Sequence, residues 1–221
     1  MKAAPASRRE QRRLQQQDLG RTQLLDAAEE VFGDRGYHDT TLKEVADLAE
    51  FSVGSVYSFF QNKDDLFLHV FLRRGDAFLR GLRDAVAGDD PPVDKLRAIV
   101  DFEVGFFREH PHFGRLYLRT ATRSAFPGRD VDGTHGAGLD EAMAIHAGVF
   151  RAGQADGTLR AGDALVLAEL LSGLVRAYLA VDPLVVGSTA DRKRGRLTLE
   201  ELETIVVDSF GGPTRGGRRG K

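Results

Sequence analysis

Residues 40–63 read TTLKEVADLAEFSVGSVYSFFQNK. Thr41 and Glu44, three apart, form a capping box in which hydroxyl and carboxylate each satisfy an orphan backbone N–H, so a helix is expected to begin there. Leu42, Val45, Ala46 and Ala49 give that helix one apolar face, and the small alanines let another helix come close. Ser52 suits the N-cap of a second helix. Gly54 and Ser55 fall in its first turn, where slim side chains let backbone approach a phosphate or a base edge. Val56 and Phe60, four apart, share a face, with Tyr57 and Ser58 off it. Asn62 suits the cap of a third helix, and Asp64 and Asp65 in its first turn match the positive end of the helix dipole. Ala46, Ala49, Phe51, Val56 and Phe60 are expected inside, and Ser52, Gly54, Ser55, Tyr57 and Lys63 outside. This is the layout of a helix-turn-helix that reads the DNA major groove, although a helical hairpin in another all-α protein has the same bare pattern.

Upstream, residues 17–35 carry an apolar stripe of Leu24, Leu25, Ala28, Val31 and Phe32, and Gly36 supplies a C-terminal cap. The composition allows a real core: 42% of the 221 residues are hydrophobic. No apolar run is long enough to span a membrane, no secretory signal pattern opens the chain, and cysteine is absent. A cytoplasmic protein is expected. The net charge of −2 does not advertise a nucleic-acid binder. Positive charge is nonetheless concentrated at Lys2, Arg8, Arg9, Arg12 and Arg13, and again at Arg215, Arg218, Arg219 and Lys221.

Residues 21–66 resemble the DNA-binding domain of the TetR family of bacterial transcriptional regulators. Arg21, Leu24, Leu25, Ala27, Ala28, Val31, Phe32, Gly36, Tyr37, Thr40, Thr41, Val45, Ala46 and Ala49 carry the likeness in its first half. Ser52, Gly54, Ser55, Val56, Tyr57, Phe60, Lys63 and Leu66 carry it in the second. The chain departs from the family at Glu50, where glycine is usual; if that turn needs a positive φ, a residue with a Cβ costs on the order of 1 kcal/mol. The resemblance implies that Lys43, Val53, Gly54 and Ser55 approach base edges. It implies that Thr41, Ser52, Tyr57, Ser58 and Lys63 contact phosphates or sugars, with Phe59 against the DNA backbone.

The remaining chain reads as helices with loops at 127–136 and 183–196. The fold is expected to be all-α, in four parts. Residues 1–16 form a disordered basic arm and 17–66 a three-helix DNA-binding domain. Residues 67–211 form a helical ligand-binding and dimerisation domain, and 212–221 a flexible basic tail. The segment 162–182 is apolar on most of its circumference, which fits either a central core helix or half core and half dimer interface. The resemblance favours the second, with Leu167, Leu170, Gly173 and Leu174 meeting Leu202, Ile205 and Val206 across a homodimer, as a palindromic operator in double-stranded DNA requires. Phe102, Phe106, Tyr117, Met143, Phe150, Leu171 and Tyr178 are ordinary core residues on their own; the resemblance makes them, with His146, the lining of an effector pocket. Glu103, Arg119, Arg123 and Arg176 are further polar candidates, and the two arginines at 119 and 123 would favour an anionic effector if turned inward.

The implied function is a repressor released from an inverted-repeat operator by a small molecule. A ligand-independent architectural DNA binder is the alternative. An α-helical enzyme is the least supported reading, because HExxH, P-loop, GxSxG and strand-linked GxGxxG patterns are all missing. No catalytic residue, metal site or cofactor is expected.

Overall fold

Ser7 accepts a hydrogen bond from the Glu10 N–H at 3.3 Å and opens the first helix. The computed structural model describes residues 7–120, 134–187 and 197–212. Among these residues there are ten helices: α1 (Arg8–Arg35), α2 (Leu42–Leu48), α3 (Val53–Phe59), α4 (Lys63–Ala85), α5 (Pro92–Glu109), α6 (Pro111–Thr120), α7 (Thr134–Asp156), α8 (Ala164–Leu179), α9 (Pro183–Val186) and α10 (Leu199–Phe210). The all-α expectation holds. The single β-like feature among the described residues is an isolated bridge between Leu159 and Gly211.

Local chemistry explains the helix starts. Thr41 and Glu44 form the reciprocal capping box at α2, and Thr198 and Glu201 repeat it at α10. Ser52 and Asn62 cap α3 and α4 through their side chains. Gly36 closes α1 at φ 86°, a conformation that a Cβ disfavours.

Four boundaries differ from the sequence reading. The arm expected to be disordered over 1–16 is helical from Arg8, because its Arg and Gln residues are good helix formers and no breaker separates them from the apolar stripe. The loop expected over 127–136 gives way to α7 at Thr134; residues 127–133 lie outside the described residues. Within 183–196, Asp182 caps a one-turn helix with Pro183 at its first position, and Val185 is buried; 188–196 lie outside the described residues. The Gly212 N–H donates to the Thr158 carbonyl at 2.8 Å, so this residue belongs to the folded body rather than a tail. Residues 213–221 and 1–6 are likewise outside the description.

The helix-turn-helix is built around Val45, Ala46, Val56 and Phe60, all essentially without exposure, beneath the α1 stripe. Arg21 ties α1 to this unit by donating to the Phe59 carbonyl at 3.3 Å, with its guanidinium over the Phe60 ring. The division proposed at residue 66 falls inside α4, which runs unbroken from the helix-turn-helix unit into the second unit. The two units meet again along α1 and α6. Gly33 packs directly on the backbone of His112, and Asp34 is held by Arg115 at 2.5 Å and His112 at 3.2 Å.

The second unit packs α4, α5, α6, α7, α8 and α10 around Leu82, Leu96, Ile99, Val100, Phe150, Leu171 and Leu179. Along α8, residues three and four apart divide between core and surface. Leu167 is buried, whereas Val166 and Leu170 are 52% and 55% exposed. Of the residues expected at a homodimer face, Leu167, Leu202 and Val206 are therefore core of the single chain. Leu170 and Ile205 are exposed, and Gly173 and Leu174 are half-buried beside them.

A Cβ at Gly33 would fall inside van der Waals contact of the His112 carbonyl, where neither backbone can give way locally. Gly33→Ala is expected to destabilise the chain by about 1–3 kcal/mol, the usual cost of overpacking, as read by thermal or urea unfolding.

Candidate functional site

The surface of α3 is open and finely bonded. Ser52 Oγ accepts from the Ser55 N–H at 3.0 Å and lies 2.8 Å from Ser55 Oγ, and the Ser58 hydroxyl donates to the Ser55 carbonyl at 2.6 Å. These bonds satisfy the helix start and fix the hydroxyls on one outward side. Gly54 is exposed, so backbone is bare there. Tyr57 is 57% exposed, an unusual place for a ring that has core available beneath it. Thr41 caps the start of α2 and Lys43 lies exposed in its first turn, where Lys43 Nζ pairs with Asp47 at 2.6 Å. That partner raises the Lys43 pKa above its ordinary value.

Three expected contact residues sit differently. Phe59 is half-buried with its ring on α1 beside Gly20, turned to protein rather than outward. Val53 is half-buried and packs on the core. Lys63 leans back over the Tyr37 ring, 4.3 Å from its centroid, and reaches the His38 carbonyl at 3.5 Å. Burial lowers the Lys63 pKa. Burial and a bond to Asp64 push the Tyr37 phenol up to about 12, keeping it a neutral donor. Glu50 holds the α2–α3 turn at φ 60°, in the left-handed region.

Arg8, Arg9, Arg12 and Arg13 lie on a stretch of α1 whose residues 7 to 19 are all exposed, ahead of Gly20, where α1 meets Phe59 of α3. The sequence reading placed this charge on a disordered basic arm. Its helical spacing was the available signal, since Arg8 and Arg12, and Arg9 and Arg13, are four apart and share faces.

A cavity of about 600 Å³ lies among α4, α5, α6, α7 and α8. Of the eight residues expected to line a pocket, Tyr117 and Met143 border it. The others are placed elsewhere by their own packing. Phe102 and Phe106 surround Phe78, Phe150 stacks edge-on against Phe210, and Leu171 is in the core. Tyr178 accepts from Arg108, which also pairs with Asp182. His146 is fully buried behind the wall, with Nε2 3.1 Å from Glu103 Oε1. Glu103 does border the cavity, as do Phe71, Phe78, Phe107 and Phe113. Arg119 is turned away, donating to the Asp34 carbonyl at the end of α1, and Arg123 lies outside the described residues. Burial, reinforced by the Glu103 charge, raises the Tyr117 pKa, and its hydroxyl is hydrogen-bonded to Ser172.

Two helices that wall the cavity also grip α1. From α4, Arg73 and Arg74 hold the buried Glu29 carboxylate at 2.8 and 2.7 Å, and Arg73 also pairs with Asp26 at 2.7 Å. From α6, Phe113 and Tyr117 face the cavity while His112, Arg115 and Arg119 hold the end of α1. None of this ion-pair network was read from the sequence, although Arg73 and Arg74 interrupt the apolar stripe of α4.

The model of bacterial regulatory proteins of the tetR family matches residues 24–70, the segment that builds this DNA-reading unit. Over that segment the chain is similar to the TetR family. Its curated relatives include the HTH-type transcriptional activator FasR of Mycolicibacterium smegmatis, 40% identical over 97 residues. That match spans 44% of this chain and 44% of the relative, less than half of its length. The transcriptional regulator RutR of Escherichia coli is 25% identical over 192 residues, 85% of this chain and 88% of RutR. Among solved structures, AibR in complex with isovaleryl coenzyme A and operator DNA is 20% identical with a TM-score of 0.70, covering 86% of this chain and 97% of that one. At that identity the likeness is one of fold.

The family's usual glycine is replaced by an exposed glutamate at a turn whose φ is positive. Glu50→Gly is expected to stabilise the chain by about 1 kcal/mol, measured as a rise in the unfolding midpoint, by relieving the Cβ clash of the left-handed conformation.

Proposed function

We propose that this chain is a cytoplasmic, homodimeric transcriptional regulator that binds an inverted-repeat operator and releases it when a small molecule enters the cavity. It is a regulator and not an enzyme. The observation that carries this reading is the continuity of α4 and α6: each borders the cavity and each is bonded to α1, on which the helix-turn-helix is mounted. A ligand that prefers one arrangement of these helices lowers DNA affinity by its differential affinity for the two states. The structure of AibR with both an acyl-coenzyme A and operator DNA supports such a two-site arrangement.

The second copy docks on the apolar strip of α8 and α10 that includes Val166, Leu170, Gly173 and Ile205. Leu167, Leu202 and Val206 support the strip from beneath. Two recognition helices then reach major grooves roughly 34–36 Å apart, or a multiple of that. Repression is the proposed sign of control. Activation is the second reading, favoured by the FasR name, and the two are separated by transcription from the bound promoter with and without the protein.

Selection of bound sites from random duplex DNA is expected to enrich an inverted repeat. Recovery of unrelated sequences, bound only through salt-sensitive contacts, favours the architectural alternative. Within the enriched site, Lys43→Ala is expected to relax sequence preference, because a lysine at a base edge discriminates by about 1–3 kcal/mol. Tyr57→Phe is expected to weaken operator and random DNA equally. Replacing Arg8, Arg9, Arg12 and Arg13 by Ala is expected to flatten the slope of log affinity against log salt by about 0.9 for every phosphate these side chains neutralise. Titrations at several salt concentrations, on both DNAs, check all of these substitutions.

A further inference from the structure

The cavity has a charge balance that selects among ligands. Among the described lining residues, Asp76, Glu103, Asp140, Glu141 and Glu169 are carboxylates and Arg176 is the one cation. Arg83, outside the lining, pairs with Glu141 and offsets one more negative charge. Leaving Glu141 and Asp140 out of the balance, and setting Arg176 against one of the remaining carboxylates, still gives an acidic excess. A concave, low-dielectric wall of one sign focuses its field into the space it encloses.

Glu103 differs from the other four. Asp76, Asp140 and Glu169 are exposed and Glu141 is half-buried, so water screens them. Glu103 is 5% exposed and stands in the wall. Its neighbour behind the wall is His146, and neither ring nitrogen of His146 makes a hydrogen bond of good geometry. A buried ionisable pair whose bonding is incomplete is costly to keep, and such pairs concentrate at binding sites. The remaining wall is aromatic, with Phe71, Phe78, Phe107, Phe113 and Tyr117. Ring faces carry negative charge density and attract cations, most strongly where water is excluded. Gly75 adds room, since a Cβ there would have no neighbour within 4 Å.

We propose that the cavity takes an apolar organic cation, a protonated amine or quaternary ammonium on a hydrophobic body, with its positive charge seated against Glu103. This rests on the effector-controlled reading above. A ligand with a free carboxylate meets the same field with the wrong sign. Arg119, which would have favoured an anion if turned inward, faces α1 instead.

Three probes of one chain length test the sign directly: octyltrimethylammonium, 1-octanol and octanoate, titrated into the full-length protein below their micelle thresholds. Binding is followed by calorimetry and by melting temperature. The cation is expected to bind at least about tenfold more tightly than octanoate. Glu103→Gln is expected to weaken the cation about tenfold while changing 1-octanol by less than about twofold. Gly75→Leu, which fills the cavity and leaves its charges in place, is expected to weaken cation and alcohol alike. Octanoate binding as tightly as the cation overturns the proposal. So does a cation that fails to bind, or one whose affinity Glu103→Gln leaves unchanged. Should Glu103→Gln fail to fold, the ranking of the three probes on the unaltered chain decides. Operator binding is measured on the same samples without probe; its absence counts against the DNA-binding reading and not against the ligand class.

Discussion

The carboxylate of Glu29 is the fixed point of this molecule. It is 5% exposed on α1 and is held by two guanidiniums from α4, those of Arg73 and Arg74. Stranding one member of such a buried cluster costs about 3–5 kcal/mol, because the charge that remains has neither water nor partner. An apolar cluster of similar volume would hold the helices together at least as well. What the charges add is register: donors on consecutive residues reach the carboxylate together in one rotation of α4 against α1. Arg73 Nε is buried without a hydrogen-bond partner, so the cluster is not tuned for stability alone.

Register matters because of what lies on either side. Immediately before the arginines, Phe71 and Leu72 face the cavity; just after them, Gly75, Asp76, Phe78 and Leu79 do the same. A ligand that spreads or rotates this part of α4 acts within a turn of the Glu29 anchor. The α6 side is stiffer. Gly33 brings α1 into backbone contact with His112, and Arg115 and Arg119 bond the last turn of α1 around Asp34. Close-packed junctions of this kind shift as bodies and do not deform continuously.

The DNA-reading unit was legible because its signals are local. Capping residues at Thr41, Ser52 and Asn62 fix three helix starts within about twenty residues, and the apolar periodicity between them leaves one way to pack. Even the exception was readable, since Glu50 sits at positive φ where the family favours glycine. The second unit was legible as helices but not as faces. On α5, Phe106 and Phe107 are adjacent and both buried, yet only Phe107 borders the cavity. On α8, Leu167 and Leu170 are one turn apart, one in the core and one at the surface. Periodicity reports that a helix has an apolar side; which neighbour covers that side depends on partners distant in sequence. Gly75 and Ser172 carried no signal because small residues in a helix announce nothing until the space beside them is known.

The same limit explains why charge was the more informative feature of the cavity. An apolar residue is stable in core, pocket or interface alike, so its type does not report its place. A buried carboxylate is stable in few settings, and each setting has a recognisable partner. Glu29 has two arginines and is explained by them. Asp182 has Arg108, and its side chain also caps α9. Glu103 has an imidazole behind it and open space before it. Of these three buried carboxylates, it alone is turned toward a volume large enough for a ligand. The physical requirement that a buried charge be met therefore points out of the fold, into the cavity.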